Sequence, residues 1–290
     1  MFVGEILMVN SISSTNLLKQ IQQKQNVQNS KTQTETNKTI TEQKAEMQTM
    51  MNTMLGTDLV IRKNNIQKLD AIFKKLDGKE GLDFVNTAYT ELIKFMELEG
   101  IAPKEITWEK NEGRADIVGD YRFYNNSIVF YTDNFMKMDK ASQLGLLAHE
   151  LTHCKQLANM LRTEGLEVPK IASAYASSDL RAALSGGNPM IMQLYAKAKQ
   201  EGKEKEFIQQ AILQNTIKTT KELMEAHAET LKLPKHPLNS ENGKKAQADW
   251  VAQMNYNGRD MNSYNNCPME KEAMAMEYMI IGGYKTFKQM

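Results

Sequence analysis

The chain has 290 residues, enough for one large domain or two small ones, and its hydrophobic (41%) and charged (24%) shares are ordinary for a globular protein. A formal net charge of +1, with no dense Lys/Arg block and no basic stripe interleaved with aromatics, argues against nucleic acid as a partner. Two cysteines, Cys154 and Cys267, exclude a disulfide framework and a four-cysteine metal site, and no apolar run approaches the roughly 18–20 residues of a membrane span.

The opening residues, MFVGEILMVNSISS, lack a basic lead, and Gly4 and Glu5 interrupt their apolar stretch. A Sec-type signal is therefore not expected. The expectation is a soluble chain, cytoplasmic or exported by another route. Residues 9 to about 45 are rich in Asn, Gln, Ser, Thr and Lys, with little apolar surface to offset the entropy of ordering. They read as disordered, or as a loose helix at best. Met47, Met50, Met51, Met54 and Leu55 then recur at helical spacing, so residues 1–56 read as a polar arm ending in a short amphipathic helix. The remainder, 57–290, reads as the folded domain.

Ile66, Leu69, Ile72, Phe73 and Leu76 mark a helix that stops at Asp77-Gly78. A second begins near Asp83, carries Phe84, Val85, Ala88, Leu92 and Met96, and ends by Gly100. The pattern then turns extended. Ile106-Thr107-Trp108 reads as a strand, and Tyr121–Tyr124 and Ser127–Tyr131 as a hairpin around Asn125-Asn126, a pair that tolerates left-handed backbone. Residues 133–140 read as loop. A helix opens near Asp139 or Ser142 and runs to about Leu161. Residues 165–262 look mostly helical, with breaks at Gly186–Pro189, Pro234–Pro237 and Asn257-Gly258. A last helix follows Pro268, from Glu270 to about Ile281. The fold class is thus α+β, predominantly helical, with a small sheet.

Chemistry concentrates in His149-Glu150-Leu151-Thr152-His153. Histidines four apart on a helix lie about 40° apart around the axis and one turn along it, so both imidazoles can meet one ion. Zinc accepts neutral imidazole nitrogen and tolerates tetrahedral geometry. A glutamate directly after the first histidine stands beside that ion without ligating it, placed to take a proton from water and pass it to a leaving amine. With only four histidines in the chain, chance rarely gives this pattern. On a helical wheel Leu144, Leu147, Leu151, Cys154 and Ala158, with Ala148 at the edge, form a stripe on the side opposite His149, His153 and Gln156. A pair of core histidines would lie inside that stripe. Cys154 lies in it, as a small buried hydrophobe.

A hairpin followed by a helix bearing HELTH-x-x-Gln resembles the zincin metallopeptidases. The resemblance covers about residues 106–161 and 264–281, and leaves 1–100 and the long helical stretch unmatched. It implies one zinc ion, a peptide or protein substrate paired along the hairpin's edge strand, and Glu150 as general base. It places Gln156 beside the metal site, where the plain reading is a solvent-facing helix residue. No Gly-x-x-His follows His153, as a metzincin would require. The resemblance is to gluzincins, whose third ligand is a glutamate on a later helix, often in Glu-x-x-Ala. Glu270 to Ala273 fits that form, although Met274 stands where an acidic residue usually follows. Glu270 is therefore the expected third ligand; its plain explanation is a first-turn carboxylate favoured by the helix dipole. Glu272 points about 160° away on the wheel, so both cannot face one metal. Glu277, near the face of Glu270, is placed to support a histidine. Tyr264 is a candidate donor to an oxyanion, with plain packing as the alternative. His227 reads as a helix-surface histidine rather than a ligand. Two other readings stand beside the peptidase: a metal-binding scaffold without catalysis, and a helical interaction protein in which HELTH is accidental.

Overall fold

The computed structural model describes residues 40–110, 118–258 and 260–289. Most of the expected polar arm lies outside these residues. Its last part does not: helix α1 (Ile40–Leu55) begins inside the segment expected to be disordered, and Met51, Met54 and Leu55 pack on the core. Helix α2 (Leu59–Leu76) is capped by Asp58, whose carboxylate accepts from the backbone N–H of Val60 (2.8 Å) and Ile61 (3.1 Å). Helix α3 (Gly81–Phe95) starts ahead of the expected Asp83 cap; Asp83 lies in its first turn and pairs with Lys79 at 2.7 Å.

Three strands follow: β1 (Glu105–Glu109), β2 (Gly119–Arg122) and β3 (Ser127–Tyr131). Their order is β1-β3-β2, with β1 parallel and β2 antiparallel to β3. The central strand is buried at every position, as its run of β-branched and aromatic residues requires. The hairpin is present, with β2 ending at Arg122 rather than Tyr124. Its turn closes on Asn126 at φ 53°, and the Asn126 side chain accepts from the Tyr121 hydroxyl at 2.9 Å. Arg122 reaches across to β1 and donates to both oxygens of Glu109 at 2.6 and 2.8 Å. In the order β1-β3-β2, strand β2 is an edge strand among the described residues. The segment expected as loop contains a short helix, α4 (Thr132–Phe135), because Phe135 packs against Phe130 and Trp108.

Helix α5 (Lys140–Leu161) carries the HELTH segment and is capped by Asp139, which accepts from Ser142 N–H at 2.8 Å. Its apolar stripe is buried as expected. Its opposite face is buried too, because helix α12 (Pro268–Gln289) lies along it. Gly145 permits that approach: a Cβ there would stand 2.5 Å from Ile281 Cγ1 and 3.1 Å from Glu277 Cγ. α12 starts at Pro268 as expected and continues to Gln289, beyond the expected end at Ile281.

Between α5 and α12 the chain is helical: α6 (Val168–Ala182), a π-type turn (Ala183–Gly187), α7 (Pro189–Gln200), α8 (Glu204–Ala226), α9 (Ala228–Lys232), α10 (Glu241–Asn255) and α11 (Met261–Asn266). The three expected breaks are present, and two more, at Glu201–Lys203 with Gly202 at φ 72° and at His227, were not expected. Gly186 takes φ 100°, and His236, in the proline-flanked connection, bonds to the end of α5 through Arg162 O (2.6 Å) and Glu164 N–H (3.0 Å). α6 packs on α8 and α10, and α10 packs in turn on α5. The chain is therefore predominantly helical with a small mixed sheet. No described helix is long and apolar enough to cross a membrane.

Candidate metal centre

Two helices build the site. α5 presents His149 and His153 one turn apart, and α12 brings Glu270, in its first turn, against both. His149 Nε2 and His153 Nε2 are 3.2 Å apart; Glu270 Oε2 is 3.6 Å from the first and 3.4 Å from the second. Bonds of about 2.0–2.2 Å in a tetrahedron separate ligand atoms by roughly 3.3–3.5 Å, so this triangle has the dimensions of one face of a zinc site. Glu270 is only 7% exposed and its Oε2 has no hydrogen-bond donor. A buried carboxylate oxygen without a donor is costly unless a cation serves it. Among the described residues, this is the one group of three His, Cys, Asp or Glu side chains with ligand atoms close enough to share an ion.

The outer nitrogens fix the rings. His149 Nδ1 donates to Glu277 Oε2 at 3.1 Å. His153 Nδ1 lies 2.9 Å from Gln156 Oε1. The Gln156 amide has no freedom to flip, because its Nε2 donates to Met269 O (3.0 Å) and Glu272 Oε2 (2.6 Å). Its oxygen must face the ring, so His153 Nδ1 carries the proton. In the neutral rings both Nε2 atoms then carry lone pairs, 3.2 Å from each other and within 3.6 Å of Glu270 Oε2. Three lone-pair atoms converging in a buried space call for positive charge between them, from protons or a metal ion. The electrostatics agree. Burial opposes charge on His149, but Glu270, Glu277 and Glu150 outweigh it and raise its pKa to about 10. His153 is likewise lowered by burial and raised, on balance, mainly by Glu270. Burial opposes charge on Glu270, yet the two histidines hold its carboxyl far below the usual carboxylate range. Protons fill that role without a metal, and a divalent cation fits in their place.

Glu150 lies beside the triangle, 5% exposed, and lines a cleft of about 430 Å³. Burial raises its carboxyl, outweighing the opposite pull of His149 and His153. One cleft wall is the edge strand β2 with its turn, from Gly119 to Tyr124; α6 and the segment from Gln253 to Glu270 contribute the others. Tyr264 and Tyr256 face this cleft. Burial first, and then the Glu270 carboxylate, push both phenols up, so both remain protonated donors.

The residues singled out from sequence thus fall in one place: His149, His153 and Glu270 in the triangle, Glu150 and Tyr264 in the cleft, and Gln156 and Glu277 behind the imidazoles. Gln156 is 2% exposed, so its solvent-facing reading does not hold. Glu272 does point away from the triangle, but it bonds Gln156. His227 is no surface residue. It is 2% exposed and its Nε2 donates to Phe123 O at 2.7 Å, tying the end of α8 to the hairpin turn, away from the triangle. Cys154 is a buried thiol whose pKa burial pushes up to about 12, an inert group. Sequence reasoning missed Tyr256, the cleft carboxyls of Asp120 and Asp179, and the pair Lys245–Asp249 behind Glu272. Only the last has a local signal, an i,i+4 spacing that many surface pairs share.

In comparisons with known proteins, no family model, no curated protein and no solved structure matches this chain.

Proposed function

We propose that the chain is a zinc-dependent peptidase with a zincin-like site of gluzincin type, in which His149, His153 and Glu270 hold one zinc ion and Glu150 is the general base. The observation that carries this reading is the triangle of 3.2, 3.4 and 3.6 Å between two Nε2 atoms and a donor-less carboxylate oxygen, next to a buried glutamate in an open cleft. When bound, zinc supplies Lewis acidity, which makes water acidic near neutral pH and polarises a carbonyl. Every other part falls to the chain. Glu150, a buried carboxylate beside the triangle that lines the cleft, takes the proton of the attacking water and hands it to the leaving amine. Tyr264 and Tyr256, both lining the cleft, would donate to the oxyanion of the tetrahedral intermediate. Strand β2, at the sheet edge and along the cleft, offers backbone groups to an extended peptide. Glu277 and Gln156 keep the Nδ1 protons in place and the Nε2 lone pairs free.

The test is cleavage of a denatured, fluorescently labelled protein by the zinc-loaded chain. A chelator should stop cleavage and zinc should restore it. Glu150→Gln should keep its zinc and lose roughly 10²–10⁴-fold in turnover. Wild-type turnover in Glu150→Gln would sink the base assignment, and loss of zinc in that variant would make Glu150 a ligand instead.

A further inference from the structure

Behind His153 a polar chain leads out of the site. His153 Nδ1 bonds Gln156 Oε1, Gln156 Nε2 donates to Glu272 Oε2, and Glu272 Oε2 also accepts from Lys245 Nζ at 2.6 Å. The same ammonium pairs with Asp249 at 2.9 Å. Lys245 and Asp249 lie on α10, in the long helical stretch between the two ligand-bearing helices, and neither touches the triangle. We propose that Lys245 is a positioning residue for the metal site, because its ammonium holds Glu272 on Gln156 and so fixes the ring orientation and tautomer of His153.

The inference rests on the zinc-site reading and extends it to the helical stretch that sequence left without a role. Its logic is charge balance. One ammonium serves two carboxylates, Asp249 being 3% exposed and Glu272 half-buried. Burial opposes charge on Lys245, but Glu272 and Asp249 outweigh it and keep it a cation. Without that cation the two carboxylates face each other at close range. Asp249 is enclosed and cannot turn to water, whereas Glu272, at 27% side-chain exposure, can. Glu272 therefore swings out and releases Gln156 Nε2. The amide, left with Met269 O as its remaining anchor, can rotate. His153 then loses the acceptor that keeps its proton on Nδ1 and its lone pair on Nε2. Supporting partners of this kind change metal affinity by about 10–100-fold.

The experiment measures zinc affinity of the full chain by competition with a chromophoric chelator, and the thermal midpoint of the zinc-free protein alongside. Lys245→Met keeps the aliphatic stem and removes the charge; it should weaken zinc by at least about 10-fold. The double variant Lys245→Met/Asp249→Asn removes the repulsion as well, and should recover most of that loss. A role confined to packing would move the midpoint, leave zinc affinity in place and give no such recovery. Should Lys245→Met fail to fold, Glu272→Ala serves, since it leaves the Lys245–Asp249 pair whole; it should lose a similar factor in zinc affinity at a near-wild-type midpoint. Zinc affinity in Lys245→Met within twofold of wild type overturns the proposal, as does a double variant no better than the single, or unchanged affinity in Glu272→Ala. A wild-type chain that takes up no zinc removes the zinc-site reading and this inference together, whereas equal binding by wild type and Lys245→Met removes this inference alone.

Discussion

Gly145 offers a test of whether the α5–α12 contact positions the metal centre. Glycine inside a helix costs about 1 kcal/mol relative to alanine, so Gly145→Ala gains that much from helix propensity alone. Against it stands the contact: the new Cβ would fall 2.5 Å from Ile281 Cγ1, 2.8 Å from Ile281 Cδ1 and 3.1 Å from Glu277 Cγ. Ile281 is branched and partly buried in the core, so it has little room to move. Overpacking of this kind costs about 1–3 kcal/mol. The net expectation lies between no change and a loss of about 2 kcal/mol, or several degrees of midpoint at about 2–4 °C per kcal/mol. Stability alone therefore discriminates poorly, and zinc affinity decides. Any outward shift of α12 lengthens Glu270 to the imidazoles and Glu277 to His149 Nδ1, since both carboxylates ride on that helix. Gly282→Ala is the control, on α12 itself, where an added Cβ meets nothing within 4 Å. It should gain roughly 0.5–1 kcal/mol and leave zinc affinity alone. Scanning calorimetry of the zinc-free proteins and chelator competition give both readouts. Gly145→Ala that matches the Gly282→Ala gain and binds zinc like wild type would refute the reasoning.

Two other outcomes follow from the site. Glu277→Ala removes the acceptor of His149 Nδ1 and should weaken zinc by about 10–100-fold with the fold retained; unchanged affinity would show that ring to be held by packing alone. Asp179, in the cleft wall, has its carboxyl raised from 3.8 to about 6, first by desolvation in the cleft and then by Asp120, with Lys218 opposing, although the residue as a whole is exposed. The folded form thus holds that proton more tightly than the unfolded chain, so the group's contribution to stability falls as pH rises from about 3.8 to about 6. Asp179→Asn should raise the thermal midpoint at pH 7 and leave it nearly unchanged at pH 3.5, and an equal change at both pH values would discount the shift.

What the sequence made legible was whatever a single helix decides. The spacing of His149 and His153 needs only the 3.6-residue turn, and the face shared by Glu270 and Glu277 follows from the same geometry once Pro268 marks a helix start. The hairpin followed from β-branched and aromatic residues around two asparagines. The polar face of α5 is the instructive failure. An amphipathic reading assumes water on that face, which is why Gln156 looked surface-like, and the same assumption put His227 on a helix surface. Here a second helix covers the polar face of α5 with polar groups of its own, and Gln156 is buried because Met269 O and Glu272 satisfy it. Such pairing depends on tertiary contacts between residues more than a hundred positions apart, which no local pattern records. The same holds for Lys245, Asp249 and Tyr256, whose meaning depends on how α10 packs. Helix α4 was missed because four residues give no periodicity to read.

The central claim is that two imidazoles and one carboxylate hold a zinc ion. Metal analysis of the full chain, stripped with chelator, reloaded with zinc and dialysed, tests it most directly. The expected result is one zinc per chain in wild type and none retained by His149→Ala, His153→Ala or Glu270→Ala, each variant still folded by circular dichroism. A wild-type chain that retains no zinc, or a Glu270→Ala variant that retains a full equivalent, would contradict it.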